Sequence, residues 1–392
     1  MSEAVILSAV RTPIGKYLGS LAEKSAVELG SVCAAEALKR AKVPAGKIDE
    51  VIMGQVLQAG AGQNPARQVA LKAGLPETIA CFTVNKVCGS GLKAVMLAAQ
   101  AIRAGDADLV LAGGMESMSR APYLLFGARS GWKFGDQKAV DAMIHDGLWC
   151  PFECRHMGES AEYIAAKYDV SRAEQDRFAA QSHQRAAAAW KNGAFNEEVI
   201  AVEIGKGDKI RQVGQDEGVR PDSTVEVLAR LKPSFCANGT VTAGNASMLS
   251  DGAAAVVVAS QSAAKRLEAK PLARIVACAT SGVAPRDIFI APVAAIQKVL
   301  DKAGLQAKDI DLFELNEAFA AQMLACNKEL KLDEARINVH GGAIALGHPI
   351  GASGARVLVT LLHALKTRDL SRGLASLCLG GGNAVAMIVE RI

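Results

Sequence analysis

The sequence predicts an α/β fold built twice over, with a long insertion in its first half. Three observations carry this reading. Short, unbroken apolar runs alternate with stretches of helical period, as strands buried on both faces of a sheet do. One strand–glycine–helix pattern occurs around Cys88 and again around His348. The 392 residues are 50% hydrophobic yet only 4% aromatic, so small aliphatic side chains must pack close in sheets and helices.

Met1–Leu7 enters a strand pattern almost at once, without the basic stretch, apolar run and cleavage site of a signal peptide. No apolar run reaches the roughly 18 residues of a membrane span. The 9 cysteines, an odd number scattered along the chain, fit reduced thiols in a cytoplasmic setting. A formal charge of +4 leaves room for a locally basic cleft but excludes a nucleic-acid footprint.

In the first half, Val87-Cys88-Gly89-Ser90-Gly91 opens an Ala-rich helix, and Asp106–Gly114 follows as an apolar run ending in paired glycines. In the second half, Ile350-Gly351-Ala352-Ser353-Gly354 opens a helix, and Gly373–Gly382 again ends in glycines. Upstream, Lys47–Gly54 parallels Asp309–Asn316. After Gly382 the second half goes straight into the strand Asn383–Glu390, whereas its counterpart, Ala253–Ala259, lies ~135 residues beyond Gly114, far more than an ordinary connection. The domains are therefore residues 1–118 with 250–270, an inserted loop domain at 119–249, and residues 271–392. The insertion carries an amphipathic helix pair near Ser160–Tyr168 and Arg172–Asn192, and sits where a lid or binding domain is expected.

Cys88 stands at a predicted helix N-terminus, where the macrodipole, worth roughly 0.3–1 kcal/mol, would lower a thiol's pKa. By position alone it reads equally as a nucleophile or as a buried inert cysteine, the reading given to Cys33, Cys81, Cys278 and Cys326. Cys378 reads first as a core residue, and its symmetry with the Cys88 half raises a functional reading. His348, between Gly347 and Pro349 in a run of glycines, points to a cleft, while His145, His183 and His363 read as structural. Asn316-Glu317 after an apolar strand is either a helix cap or a holder of water or ligand. Cys150 and Cys154 have the spacing of a zinc pair, but no second pair follows, so no metal is expected. Neither a dinucleotide fingerprint nor a P-loop is present.

Taken together, Asn85–Gly91, Asn316-Glu317-Ala318-Phe319, Gly347–Gly354 and Cys378-Leu379-Gly380-Gly381-Gly382 resemble the four ordered motifs of the thiolase family along the whole chain. His156–Glu162 and Asn238–Ser247 in the insertion resemble its acetoacetyl-CoA-forming branch in particular. The resemblance implies a five-layered α-β-α-β-α core of two βαβαβαββ halves. It implies an acyl-CoA C-acyltransferase that condenses two acetyl-CoA to acetoacetyl-CoA and CoA, reversibly, through an acetyl-cysteine. Cys88 would be the nucleophile, His348 its base, and Cys378 the acid/base at the α-carbon. His348 with an Asn316-held water would form one oxyanion site, and the amides of Cys88 and Gly380 the other. Coenzyme A, substrate and product rather than a bound cofactor, would run along Leu148, His156, Met157, Arg220, Phe235, Ala243, Ser247, Ala318 and Phe319. A homotetramer is implied, with Phe126–Gly135 as its loop.

The chain departs from the family's Met-Gly-x-Gly-Pro pattern at Ile288-Phe289-Ile290-Ala291-Pro292, which bears on chain length, and from a common x-Gly at Asn383-Ala384. The competing readings are a broader-chain 3-ketoacyl-CoA thiolase of fatty-acid breakdown, a condensing ketoacyl synthase, and a silent acyl-CoA-binding scaffold. The set Cys88, His348, Asn316 and Cys378 weighs against the last two.

Overall fold

The computed structural model describes residues 2–392. Its long strands are β1 (Ala4–Arg11), β2 (Glu50–Gly54), β3 (Ala80–Val84), β4 (Leu109–Ser117), β5 (Ser250–Ser260), β6 (Ala273–Gly282), β7 (Leu312–Leu315), β8 (Arg372–Leu379) and β9 (Asn383–Arg391). The longer helices are α1 (Ala26–Ala41), α2 (Pro65–Lys72), α3 (Ser90–Ala104), α4 (Met157–Lys167), α5 (Arg172–Lys191), α6 (Ala291–Ala303), α7 (Ala320–Leu330) and α8 (Ile350–Thr367).

The strands run in the order β7-β8-β9-β6-β1-β5-β4-β2-β3. Within each half the inner strands pair in parallel (β2 with β3 and β4, β7 with β8) and the late strand antiparallel (β5 with β4, β9 with β8). The halves meet at a seam of only two residue pairs, Val5 with Arg274 and Ile6 with Ala273. Helices α3 and α8 pack on each other and on strands of both halves. Helices α1 and α2 cover the outer face of one half-sheet, and α6 covers the other. This is the five-layered arrangement of an α-β-α-β-α sandwich.

Residue parity along each strand sorts side chains between layers. Ala4, Ile6, Val110, Ala112, Val256 and Val258 face the central core, which they share with Ala375, Leu377, Val385 and Met387 of the other half. Their neighbours Val5, Leu7, Leu109, Leu111 and Val257 join α1 in one outer core. Leu374, Ala384, Ala386 and Ile388 join α6 in the other. Because both faces are buried, each strand reads as an unbroken apolar run rather than an alternating one.

The halves are less alike than expected. The strand that would match β3 in the second half is reduced to one isolated bridge, Ile337 with Phe313. Asn338 takes over the backbone pairing there: its side chain accepts from Leu315 N and donates to Leu315 O, each at 2.8 Å.

Inside the insertion, α4 and α5 each start with a capping box, His156 with Glu159 and Ser171 with Glu174. The insertion is tied to the sheet by Arg11 of β1, fully buried, whose guanidinium meets Glu198 at 2.5 Å and Asp216 at 2.6 Å. Removing one partner of such a buried pair costs about 3–5 kcal/mol, so Arg11 is a structural anchor.

Candidate active site

Strand β3 ends at Val84, and the chain turns sharply before α3 begins at Ser90. Val87 takes φ of +47°, a left-handed conformation that a β-branched residue avoids. Three contacts hold it there: Val87 N donates to Asn85 Oδ1 (2.9 Å), Lys86 N donates to Ser90 Oγ (2.8 Å), and Ser90 Oγ donates to Val87 O (2.6 Å). Strain held in place by surrounding hydrogen bonds marks functional loops, and here it presents Cys88. The backbone N–H groups of Gly380 and of Cys88 itself both lie against the Cys88 sulfur.

The helix-terminus expectation for Cys88 is corrected by its surroundings. Burial outweighs the two amides and pushes the thiol up to about 12, so the resting group is a thiol. A thiol in this state acts as a nucleophile only where a base can take its proton.

An imidazole lines the same cavity as Cys88. His348 is 7% exposed. Its backbone N–H donates to Ser250 Oγ at 3.1 Å. The preceding Gly347, at φ +113°, has no room for a Cβ against that same hydroxyl. Ser353 Oγ donates to Pro349 O (2.9 Å), so it must accept at 2.6 Å from His348 Nδ1–H. The tautomer is thereby set, and the free lone pair is on Nε2. Burial, with the nearby Arg356 cation, pushes the imidazole down to about 3, which keeps it neutral. Asn316, directly after β7, places its Nδ2 3.5 Å from that Nε2.

Cys378, near the end of β8, is 2% exposed. Burial raises its thiol well above the ordinary value, and proximity to Cys88 raises it further, because two neighbouring thiolates repel.

One cavity of about 570 Å³ is lined by Cys88, His348, Cys378 and Gly380. Leu148, His156, Met157, Arg220, Phe235, Ala243, Ser247, Ala318 and Phe319 share that lining. Asn316 is buried behind it and reaches it through His348. His156 stacks on Phe235 (5.0 Å), and Phe235 meets Phe319 edge-on (6.3 Å), so the insertion and the second half share one wall. Arg220 is exposed, and its Nη2 lies 3.3 Å from Nε2 of His183. His183 Nδ1 accepts from the Arg220 backbone N–H at 3.2 Å, so this histidine holds the Arg220 main chain, in keeping with its structural reading.

Lys16, Tyr17, Met118 and Met143 also line the cavity and escaped sequence reasoning, whereas Ile288 and Phe289 border it as their departure from the family pattern suggested. Lys16 adds a second exposed cation. Ile288 and Phe289 share an apolar cluster with Cys378 and Phe319. Asn383 Oδ1, at the other departure from the family pattern, lies 3.5 Å from Lys86 Nζ in the Cys88 loop. No group of three or more His, Cys, Asp or Glu is clustered as a metal site among the described residues. No helix there is long and apolar enough to cross a membrane.

Two thiols, a neutral imidazole and paired amides thus meet around one apolar cavity on a duplicated five-layer sandwich. Residues 4–262 match the family description "Thiolase, N-terminal domain" and residues 269–391 match "Thiolase, C-terminal domain". The chain belongs to the thiolase family. It is 55% identical to an acetyl-CoA acetyltransferase of Escherichia coli K12 and 54% identical to one of Pseudomonas aeruginosa, in each case over 100% of both chains. A crystal structure of the Bacillus anthracis acetyl-CoA acetyltransferase superposes with a TM-score of 0.98 at 43% identity, covering 100% of this chain and 99% of that one.

Proposed function

We propose that the protein is an acetyl-CoA C-acetyltransferase, condensing two acetyl-CoA into acetoacetyl-CoA and CoA and running the reverse thiolysis. The observation that carries this is the meeting of Cys88, His348 and Cys378 on one apolar cavity. Cys88 passes its proton to Nε2 of His348 as its sulfur attacks the thioester carbon. The amides of Cys88 and Gly380, already aimed at the sulfur, take the oxyanion charge. The tetrahedral adduct collapses, CoA leaves as a thiolate that takes the proton of the Cys378 thiol, and acetyl-Cys88 remains beside a Cys378 thiolate and a protonated His348. The Cys378 thiolate then removes a proton from the methyl group of a second acetyl-CoA, whose thioester oxygen is stabilised by the Nε2–H of protonated His348 and by an Asn316-held water. The carbanion attacks acetyl-Cys88, acetoacetyl-CoA is released, and the freed Cys88 sulfur takes back the proton held on His348, which restores the resting thiol and neutral imidazole.

The chemistry is carried by protein groups, with coenzyme A as substrate and product. Exposed Lys16 and Arg220 suit its phosphorylated end. The protein works in the cytoplasm as a homotetramer, a reading supported by Phe126, Trp132 and Phe134, which leave an apolar face on the exposed loop after β4. A cavity wall of Phe289, Ile288 and Phe319 favours short acyl chains over the broad-chain degradative reading.

Two variants test the roles. Cys88→Ser removes acetyl-enzyme formation, read by mass spectrometry of the protein after acetyl-CoA, while CoA still binds. Cys378→Ala still acetylates but loses condensation. Undiminished turnover in the first, or equal loss of both steps in the second, would overturn the assignment.

A further inference from the structure

The polar groups behind His348 form an unbroken buried chain that the reaction does not use directly. Glu314 lies in β7 and Arg356 in α8, 2% and 1% exposed respectively. Arg356 Nη1 donates to Glu314 Oε1 at 2.9 Å, and Nη2 donates to Asn316 Oδ1 at 3.4 Å. From Asn316 the chain continues through Nδ2 to His348 Nε2, then from Nδ1 to Ser353 and Pro349 O.

This order resolves an ambiguity in Asn316. A carboxamide has an acceptor end and a donor end of nearly the same shape, and either could face the imidazole. Arginine has no acceptor, so only Oδ1 can face Arg356. The N–H₂ end is thereby turned to the Nε2 lone pair. A flipped amide would set N–H₂ against the guanidinium donors and oxygen against the lone pair, two repulsions at once. Arg356 and Ser353 are three residues apart on α8, so one turn of helix supports the two nitrogens of the ring from opposite sides. Glu314 supplies the counter-charge that lets a guanidinium stay buried.

We propose that Arg356, held by Glu314, is the positioning residue that orients the Asn316 amide, and through it the oxyanion site shared with His348, for the condensation step. The inference rests on the acetyl-transfer reading above. It concerns the half of the reaction in which Asn316 acts, so loss of the Arg356 contact spares acetylation of Cys88. Nothing reacts at Arg356: its effect is geometric, and a displaced amide near a reacting oxygen lowers turnover by about 10- to 100-fold.

The test uses the full-length enzyme with Arg356→Lys, Glu314→Gln and Asn316→Ala, alone and with Asn316→Ala combined with each of the other two. Circular dichroism and thermal melts establish that each variant is folded. Burst acetylation by acetyl-CoA and steady-state condensation are measured separately. Arg356→Lys is expected to cut condensation kcat about 10- to 100-fold with KM for acetyl-CoA and the acetylation burst little changed. Glu314→Gln, which keeps the side-chain shape, follows in the same direction. In the Asn316→Ala background neither change lowers kcat further, because there is no amide left to orient. Multiplicative losses in the double variants, or equal losses in burst and condensation, would assign Arg356 a merely structural role and overturn the proposal. If Asn316→Ala itself leaves condensation intact, the role given to Asn316 fails first, an outcome distinct from the case where Asn316 matters and Arg356 does not. An Arg356→Lys protein that does not fold leaves Glu314→Gln and its double variant to decide.

Discussion

Truncating Phe289 to alanine is expected to lengthen the acyl chain that the enzyme accepts. Phe289 is 2% exposed, borders the cavity, and meets Phe319 edge-on at 5.2 Å in the cluster that holds Cys378. Removing its ring opens apolar space beside the carbon–carbon bond being made or broken. Each methylene that enters such space contributes ~0.8 kcal/mol, which is ~4-fold in kcat/KM. A 3-ketoacyl-CoA of eight carbons carries four methylenes more than acetoacetyl-CoA, so its upper gain is ~3 kcal/mol, or ~200-fold. The folded state loses about 3–5 kcal/mol on a core Phe→Ala change, toward the lower end here because the site already borders a cavity. The assay is CoA-dependent cleavage of a ladder of 3-ketoacyl-CoAs, each expressed relative to acetoacetyl-CoA. The parent enzyme declines steeply with length, and Phe289→Ala flattens the decline by one to two orders of magnitude at eight carbons. A flat parent profile, or a variant whose profile runs parallel to the parent's, would refute the reasoning and return the broad-chain reading.

Two further outcomes follow from the site and its frame. The kcat/KM for acetyl transfer stays level as pH falls from about 8 to about 5: burial holds His348 near 3, so its imidazole remains neutral and able to accept the thiol proton. An acid limb centred near the ordinary histidine value of about 6.5, absent in a His348 variant, would show that the imidazole titrates normally. Gly91→Ala, whose added methyl would lie 2.6 Å from Ala355 N and 3.1 Å from Ala352 O, destabilises the fold by about 1–3 kcal/mol or more, read by urea unfolding. Unchanged stability would mean that the two central helices can move apart freely.

The catalytic set was legible because each member sits in a short contiguous stretch whose glycines or flanking apolar strand mark it out. Cys88, Asn316 and Cys378 each follow or close such a strand, His348 sits in a glycine run that opens a helix, and duplication displayed the pattern twice. What escaped were properties of assembly. The Cys88 thiol was expected to be lowered by a helix start, but its state depends on how much protein encloses it, which no local pattern records. Glu314 and Arg356 are 42 residues apart, so their pairing appears only once β7 and α8 lie side by side. Lys16 reaches the cavity from the opposite end of the chain. The third strand of the second half shrank to a single bridge because a side chain, Asn338, replaced ladder hydrogen bonds, a substitution that strand propensity does not see.

The contact between α3 and α8 also divides the molecule by timescale. Nearly every residue from Ile350 to Leu365 is buried, and Gly91 and Gly354 bring the two helix backbones together without intervening side chains. Amide protons there can exchange with solvent only when the whole sandwich opens. The stretch from Leu125 to Lys138 is exposed throughout and exchanges through small local openings. The exposed loop and the catalytic centre therefore sit in different strata of stability. That loop can breathe while the thiol and imidazole, held just ahead of the slowest-exchanging helices, keep their alignment.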